Sequence, residues 1–363
     1  MLQNLLNDAQ VLFNEMNKLY GLSLYRNFFL WKKNIVAAET AENPSSIKMR
    51  ETFLLSQKCL DKKAKEDLFF LDSLNIPIIG LKGPFIKDVY YGSIDRFYTD
   101  IDLLVSSADA RKLYEAFLHL GYRIRSSSRW DSPAIKMRLC PEKYMNRTQA
   151  LMMCDKNNNI RVDIHSNLNI TNAHLTRYNT NFDTSRFFEN SMPYKTYKNI
   201  NTLDLHDELC YVCRHLMKHH VFYGRWQMGL GTPIQLVLDV AVIINSSFFN
   251  EDIFFDKAIE YSLIPEVLYC LNLYNKIFKS GKHIDTAKYK KMVDELNYKV
   301  KWKPLLLASL EMSIEDVMIG NFGKYFPALQ YVIVRCKKIR LFRVSWFIQG
   351  VFVHAFIERL LKT

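Results

Sequence analysis

The sequence lacks any uninterrupted apolar run approaching the ~18 residues that a membrane-spanning helix requires, so no spanning helix is expected. Its opening stretch, MLQNLLNDAQVLFNEMNKLY, has scattered charges and no apolar core of the kind a secretory signal carries. Its seven cysteines follow no regular framework, which argues against a disulfide scaffold and for reduced thiols. There is no internal repeat and no low-complexity tract. Together these absences predict a soluble, cytoplasmic chain.

What is present is ample apolar material and positive charge. Of the 363 residues, 49% are hydrophobic and 13% aromatic, enough for a packed core of two domains, or one with a helical appendage. The formal net charge of +12 favours anionic partners: nucleotides, RNA or an anionic membrane surface.

The pattern along the chain predicts an α+β protein, helical at both ends. Apolar residues at helical spacing (Leu2, Leu5, Leu6, Leu12, Phe13, Met16, Leu19) predict a helix near the start, and Pro44 with Ser45-Ser46 reads as a break. A second helix is expected from Ile47 to Asn75, burying Leu54, Leu55, Leu60, Leu68, Phe69 and Leu71. Strands are expected at Ile76–Leu81 and Thr99–Val105, a third near Tyr122, and a hairpin pairing Ala150–Cys154 with Ile160–His165. Beyond a mixed stretch of roughly 170 to 202, helices are expected throughout. The expected domains are 1–72 (helical), 73–202 (α/β) and 203–363 (helical).

The chemistry gathers in NIPIIGLKGPFIKDVYYGSIDRFYTDIDLLV. Asp100 and Asp102 alternate with apolar residues on one strand, so both side chains point to one face. Two carboxylates there repel each other and lose hydration unless something positive lies between them. A divalent metal is the simplest such group, and Mg²⁺ commonly completes its shell with substrate phosphates. Asp163, between Val162 and Ile164 on a later strand, faces the same way as Arg161 and His165. A third carboxylate completes what two ions need to clamp the attacking and leaving oxygens of a phosphoryl transfer.

The segment LKGPFIKDVYYGSIDRFYTDIDLLV, followed by RVDIH, resembles the uncharacterised nucleotidyltransferase family of the DNA polymerase β-like superfamily. The matching positions are Lys82, Gly83, Arg96, Asp100, Asp102, Asp163 and His165, and the helical stretch with His215, His219, Trp226 and Asp239 is also similar. The resemblance covers about 75 to 245. It implies a short mixed sheet backed by helices and transfer of a nucleoside monophosphate from a nucleoside triphosphate such as ATP to a hydroxyl, with pyrophosphate leaving. Two ions, Mg²⁺ or Mn²⁺, would be held by Asp100, Asp102 and Asp163, with Asp163 also accepting the nucleophile's proton. Lys82, Gly83 and Arg96 would contact the phosphates. His165 would orient Asp163 or serve structurally, and His215 and His219 would contact substrate or pack. The superfamily usually has Gly-Ser where this chain has Lys82-Gly83, and the loop to Asp100 is longer than in minimal members.

Two other functions fit the same residues. A D-x-D enzyme using a nucleotide sugar would release a nucleoside diphosphate. A non-catalytic nucleotide- or RNA-binding module, antitoxin-like, would use the basic, aromatic-interleaved stretch 123 to 147. Elsewhere, His206, Cys210, Cys213, Met217 and His220 share a helical face, where core packing is the expectation over zinc. Buried Asp239 requires a partner, expected to be Arg225 or a histidine. The tail RCKKIRLFRVSWFIQGVFVHAFIERLLKT is expected to pack as a terminal helix, with a membrane-surface role as the alternative. The acceptor is open: a protein, a peptide, an RNA end or a small metabolite.

Overall fold

A computed structural model describes residues 4–5, 7–8, 44–92, 96, 98, 100–124, 150–156, 160–168, 184–217 and 234–287. The basic stretch beyond residue 124, His219, His220, Arg225, Trp226 and the C-terminal tail lie outside the described residues. The chain divides into two compact units. One comprises Val36–Thr171 and Asn179–Glu208; the other comprises Met1–Ile35, Asn172–Tyr178 and Leu209–Thr363.

The first unit is built on a seven-stranded mixed sheet in the order β3-β4-β5-β2-β1-β7-β6. The strands are β1 Ile78–Gly80, β2 Asp100–Leu104, β3 Arg123–Ile124, β4 Leu151–Cys154, β5 Arg161–His165, β6 Met192–Pro193 and β7 Ile200–Thr202. Strand β2 runs parallel to β5 and antiparallel to β1, while β1 runs parallel to β7. The expected α+β fold, a short mixed sheet with helices, is therefore present.

Alternation along the strands decides which face is which. Ile78, Ile101, Leu103, Val105, Leu151, Met153, Val162, Ile164 and Ile200 all enter one core. Against them pack helix α1 (Pro44–Asp72), through Leu60, Ala64, Leu68 and Leu71, and α3 (Ala110–His119), through Leu113 and Phe117. With a period of two, the intervening Asp100, Asp102, Asp163 and His165 go to the opposite face.

Helix α1 begins at Pro44, so Pro44 starts the helix instead of preceding it, where its missing N–H costs nothing. Leu55 and Phe69, expected to be buried, are exposed. The buried stripe instead includes polar residues, Gln57 and Asp67, because each has a partner. Gln57 Oε1 accepts from the Tyr98 N–H, and Asp67 accepts from the Tyr122 hydroxyl. At the end of α1, Asp72 Oδ1 accepts from the backbone N–H groups of Lys198 (2.8 Å) and Asn199 (2.6 Å). This ties the β6–β7 hairpin to the helix, so β7 lies beside β1. The stretch read from sequence as mixed thus contains helix α4 (Ser185–Asn190) and two strands of the sheet.

After β1 the chain turns at Lys82-Gly83 into a short helix α2 (Pro84–Ile86), continued by a π-helical turn, Lys87–Tyr91. Helix α5 (Leu205–Met217) begins in the first unit and runs on into the second. The described part of the second unit is otherwise helical: α6 (Ile234–Ile244), α7 (Glu251–Glu260) and α8 (Ile264–Ile277). Asn250 caps α7 by accepting from the N–H groups of Asp252 and Ile253. Cys210 and Cys213 are buried, and the Cys213 carbonyl accepts from the Cys270 thiol at 3.2 Å. Asp239 is buried with Gln235 Nε2 3.2 Å from its Oδ1, while Arg225, its expected partner, lies outside the described residues. Among the described residues no helix is long and apolar enough to cross a membrane.

Gly80, the last residue of β1, is required by the ring of Phe85: a Cβ on it would stand 2.2 Å from two ring carbons. Gly80→Ala is expected to destabilise the protein by roughly 1–3 kcal/mol, the usual cost of overpacking. Adding Phe85→Leu should recover part of that loss in urea unfolding. A double variant no more stable than the sum of its single changes would contradict the contact.

Candidate active site

The site is assembled by one register. Strands β2 and β5 pair in parallel with Asp102 opposite Asp163 and Leu104 opposite His165. Neighbouring strands lie about 4.8 Å apart, so opposed residues on one face bring their side chains together. Asp102, Asp163 and His165 accordingly form a trio whose ligand-capable atoms all lie within 4.8 Å of one another. Asp100, two residues before Asp102 and partly buried, stands outside that trio. Its charge still acts on Lys82 and Asp163.

Lys82 is brought in by the end of β1. The Leu81 N–H donates to the Asp102 carbonyl at 3.0 Å, which fixes the next residue beside that aspartate. Lys82 Nζ then lies 2.8 Å from Asp102 Oδ2, in a pair with almost no exposure. Asp102 Oδ1 is 3.1 Å from His165 Nε2. The imidazole thus lies beside Asp102 and in the same group as Asp163.

Gly83 has φ +69, a left-handed conformation that favours glycine, and a Cβ there would stand 2.8 Å from the Asp100 carbonyl oxygen. The loop therefore passes directly over β2. Arg96, buried, donates from Nη1 to the Gly83 carbonyl at 3.1 Å, and the Lys87 N–H donates to the same oxygen. In this arrangement Arg96 shapes the turn that presents Lys82.

Helix α1 braces the same region through Asp61. Its carboxylate accepts from the Tyr98 hydroxyl at 2.6 Å and from Lys87 Nζ at 2.7 Å. Its signal was available: Gln57 and Asp61 lie one turn apart and Gln57 is on the buried stripe, where unpaired polar groups are costly. His215, in the second unit, is buried with its ring 5.8 Å from that of Tyr211.

Electrostatics separates the two opposed aspartates. Burial alone would raise the pKa of Asp102, but the Lys82 ammonium and the hydrogen bond with His165 hold it well below the usual carboxylate range. Burial would lower Lys82, and the charges of Asp102 and then Asp100 more than offset it, so the ammonium stays charged. Asp163 is pushed up to about 6, first by burial and then by the charge of Asp102. Asp102 has Lys82 and His165 beside it, while negative charge at Asp163 is under-compensated. Oxygen donors with an imidazole nearby, short of positive charge, suit a divalent cation.

A family model described as "uncharacterised nucleotidyltransferase" matches residues 56–279, which include the whole site. No curated protein and no solved structure matches the chain.

The elevated Asp163 has a consequence for stability. Its folded pKa of about 6 exceeds the ordinary 3.8, so folding favours its protonated form. That contribution is complete below pH ~3.8 and is lost as pH rises through ~6. Asp163→Asn should therefore stabilise the metal-free protein by up to about 2–3 kcal/mol at pH 8, and the gain should vanish toward pH 4. Urea unfolding in a chelator across that range checks it; a difference independent of pH would contradict the charge repulsion.

Proposed function

We propose, from the premise that the chain belongs to the uncharacterised nucleotidyltransferase family, that it is a metal-dependent enzyme. It would move a nucleoside monophosphate from a nucleoside triphosphate to a hydroxyl acceptor. The observation that carries this reading is the facing pair Asp102 and Asp163 on adjacent parallel strands, with His165 in the same group.

Asp100, Asp102 and Asp163 are assigned as the ligands of two Mg²⁺ or Mn²⁺ ions. Bound there, such ions would neutralise charge on the triphosphate and lower the pKa of the attacking hydroxyl. Asp163, half-buried and starved of counter-charge, is the group suited to take the acceptor hydroxyl's proton. That oxygen forms a bond to the α-phosphorus while the bond to the bridging oxygen of pyrophosphate breaks. Lys82 supplies positive charge to the phosphates as a point charge on a flexible stem. Gly83 lets the backbone approach closely at the same turn, and Arg96 holds that turn through its carbonyl. His165 keeps Asp102 ionised and oriented. The catalytic contribution is mostly positioning and preorganised charge.

The test is to incubate the protein with each α-labelled nucleoside triphosphate, Mg²⁺ or Mn²⁺, and a cell lysate. Label should pass to an acceptor with release of pyrophosphate, and Asp102→Asn or Asp163→Asn should slow transfer by roughly a hundredfold or more. Transfer of sugar from a nucleotide sugar, releasing a nucleoside diphosphate, would favour the glycosyltransferase reading instead. Steeply salt-dependent RNA binding that ignores Mg²⁺, with no transfer, would favour a binding module.

A further inference from the structure

We propose that Lys82 is a resident counter-ion which must leave Asp102 before the site can load, so that the divalent cation enters only together with the substrate's phosphates. The inference rests on the nucleotidyl-transfer reading above and adds an order of events to it.

Three observations carry it. Each oxygen of Asp102 has a basic neighbour, Oδ2 in an ion pair with Lys82 Nζ at 2.8 Å and Oδ1 with His165 Nε2 at 3.1 Å. Asp102 is 1% exposed, so no water-facing part of it remains to receive an ion. Lys82 is itself buried, at 9% exposed, so the pair forms a closed unit. A cation that takes Asp102 as a ligand comes up against these two partners, and above all against the positive charge of Lys82.

The two partners differ in how readily they yield. His165 sits in the middle of the sheet with its carbonyl accepting from the Val105 N–H at 2.9 Å, and its side chain has two rotatable bonds. Lys82 lies two residues beyond the end of β1, and its ammonium rides on a four-carbon stem with a choice of rotamers. Lysine is the partner that moves. Yet an ammonium and a divalent ion cannot share one carboxylate without repulsion, which in a site of low dielectric costs far more than in water. An anion arriving with the metal removes that obstacle. A triphosphate gives the displaced ammonium a new partner and bridges it to the incoming ion, while a free cation offers nothing to compensate for the broken pair.

Full-length protein can be tested with Mn²⁺ and inorganic triphosphate, a probe free of base preference. In thermal unfolding, the wild-type protein should gain several degrees with Mn²⁺ and triphosphate together and almost nothing with either alone. Lys82→Met should bind free Mn²⁺ about tenfold more tightly than wild type by calorimetry, and should gain stability from Mn²⁺ alone. Lys82→Arg, which keeps the charge, should bind free Mn²⁺ as weakly as wild type. Mn²⁺ that binds the wild type equally well with and without triphosphate would overturn the hand-over while leaving the metal-dependent reading intact, and it needs no variant to fold. Lys82→Met binding Mn²⁺ no better than wild type would overturn it too. Failure of wild type to bind Mn²⁺ even with triphosphate would remove both.

Discussion

The structure depends on a single pairing: β2 beside β5, parallel, with one aspartate directly across from another. Opposed carboxylates on adjacent strands are a cost in any folded protein, since like charges across a ladder repel and burial takes away their water. The rest of the site responds to that cost. Lys82 and His165 each hold one oxygen of Asp102, and Asp163 meets the remaining imbalance with a raised pKa. A register shift of one residue would turn the aspartates into the core and the apolar residues outward, so the hydrophobic alternation that builds the core also keeps the carboxylates facing each other.

The two faces of the sheet therefore have separate tasks. Ile101, Leu103, Val162 and Ile164 anchor it against α1 and α3, giving the strands a rigid footing. The other face carries charge that a folded protein would ordinarily avoid. The turn after β1 is held by contacts of its own. Gly83 is in a conformation that other residues resist, Arg96 fastens its carbonyl, and Asp61 ties the following π-helical turn to α1 through Lys87. A preorganised turn is what keeps a lysine beside an aspartate with neither reaching solvent.

Much of this was legible in the sequence, for identifiable reasons. The alternation in DIDLL and RVDIH marks two strands and puts the aspartates on one face of each, because the strand period is two. The family-like order of Lys-Gly, Asp-Ile-Asp and Val-Asp-Ile-His pointed to the fold. What was not legible follows from register and context. Nothing local says that Leu104 lies opposite His165, and that offset makes the histidine a partner of Asp102. Strands β6 and β7 are two and three residues long, too short for any periodicity, and join the sheet because Asp72 captures their connection. Leu55 and Phe69 are apolar yet exposed, while Gln57 and Asp67 are polar yet buried, since tyrosines far along the chain supply their partners.

Anomalous diffraction from a crystal of the protein grown with Mn²⁺ and a non-reactive nucleoside triphosphate tests the central claim most directly. The account predicts a manganese peak within coordinating distance of the Asp102 and Asp163 carboxylates, at about 2.0–2.2 Å, with the Lys82 ammonium no longer on Asp102. Density for the nucleotide elsewhere, with Lys82 still paired to Asp102 and no metal between the two aspartates, would contradict it.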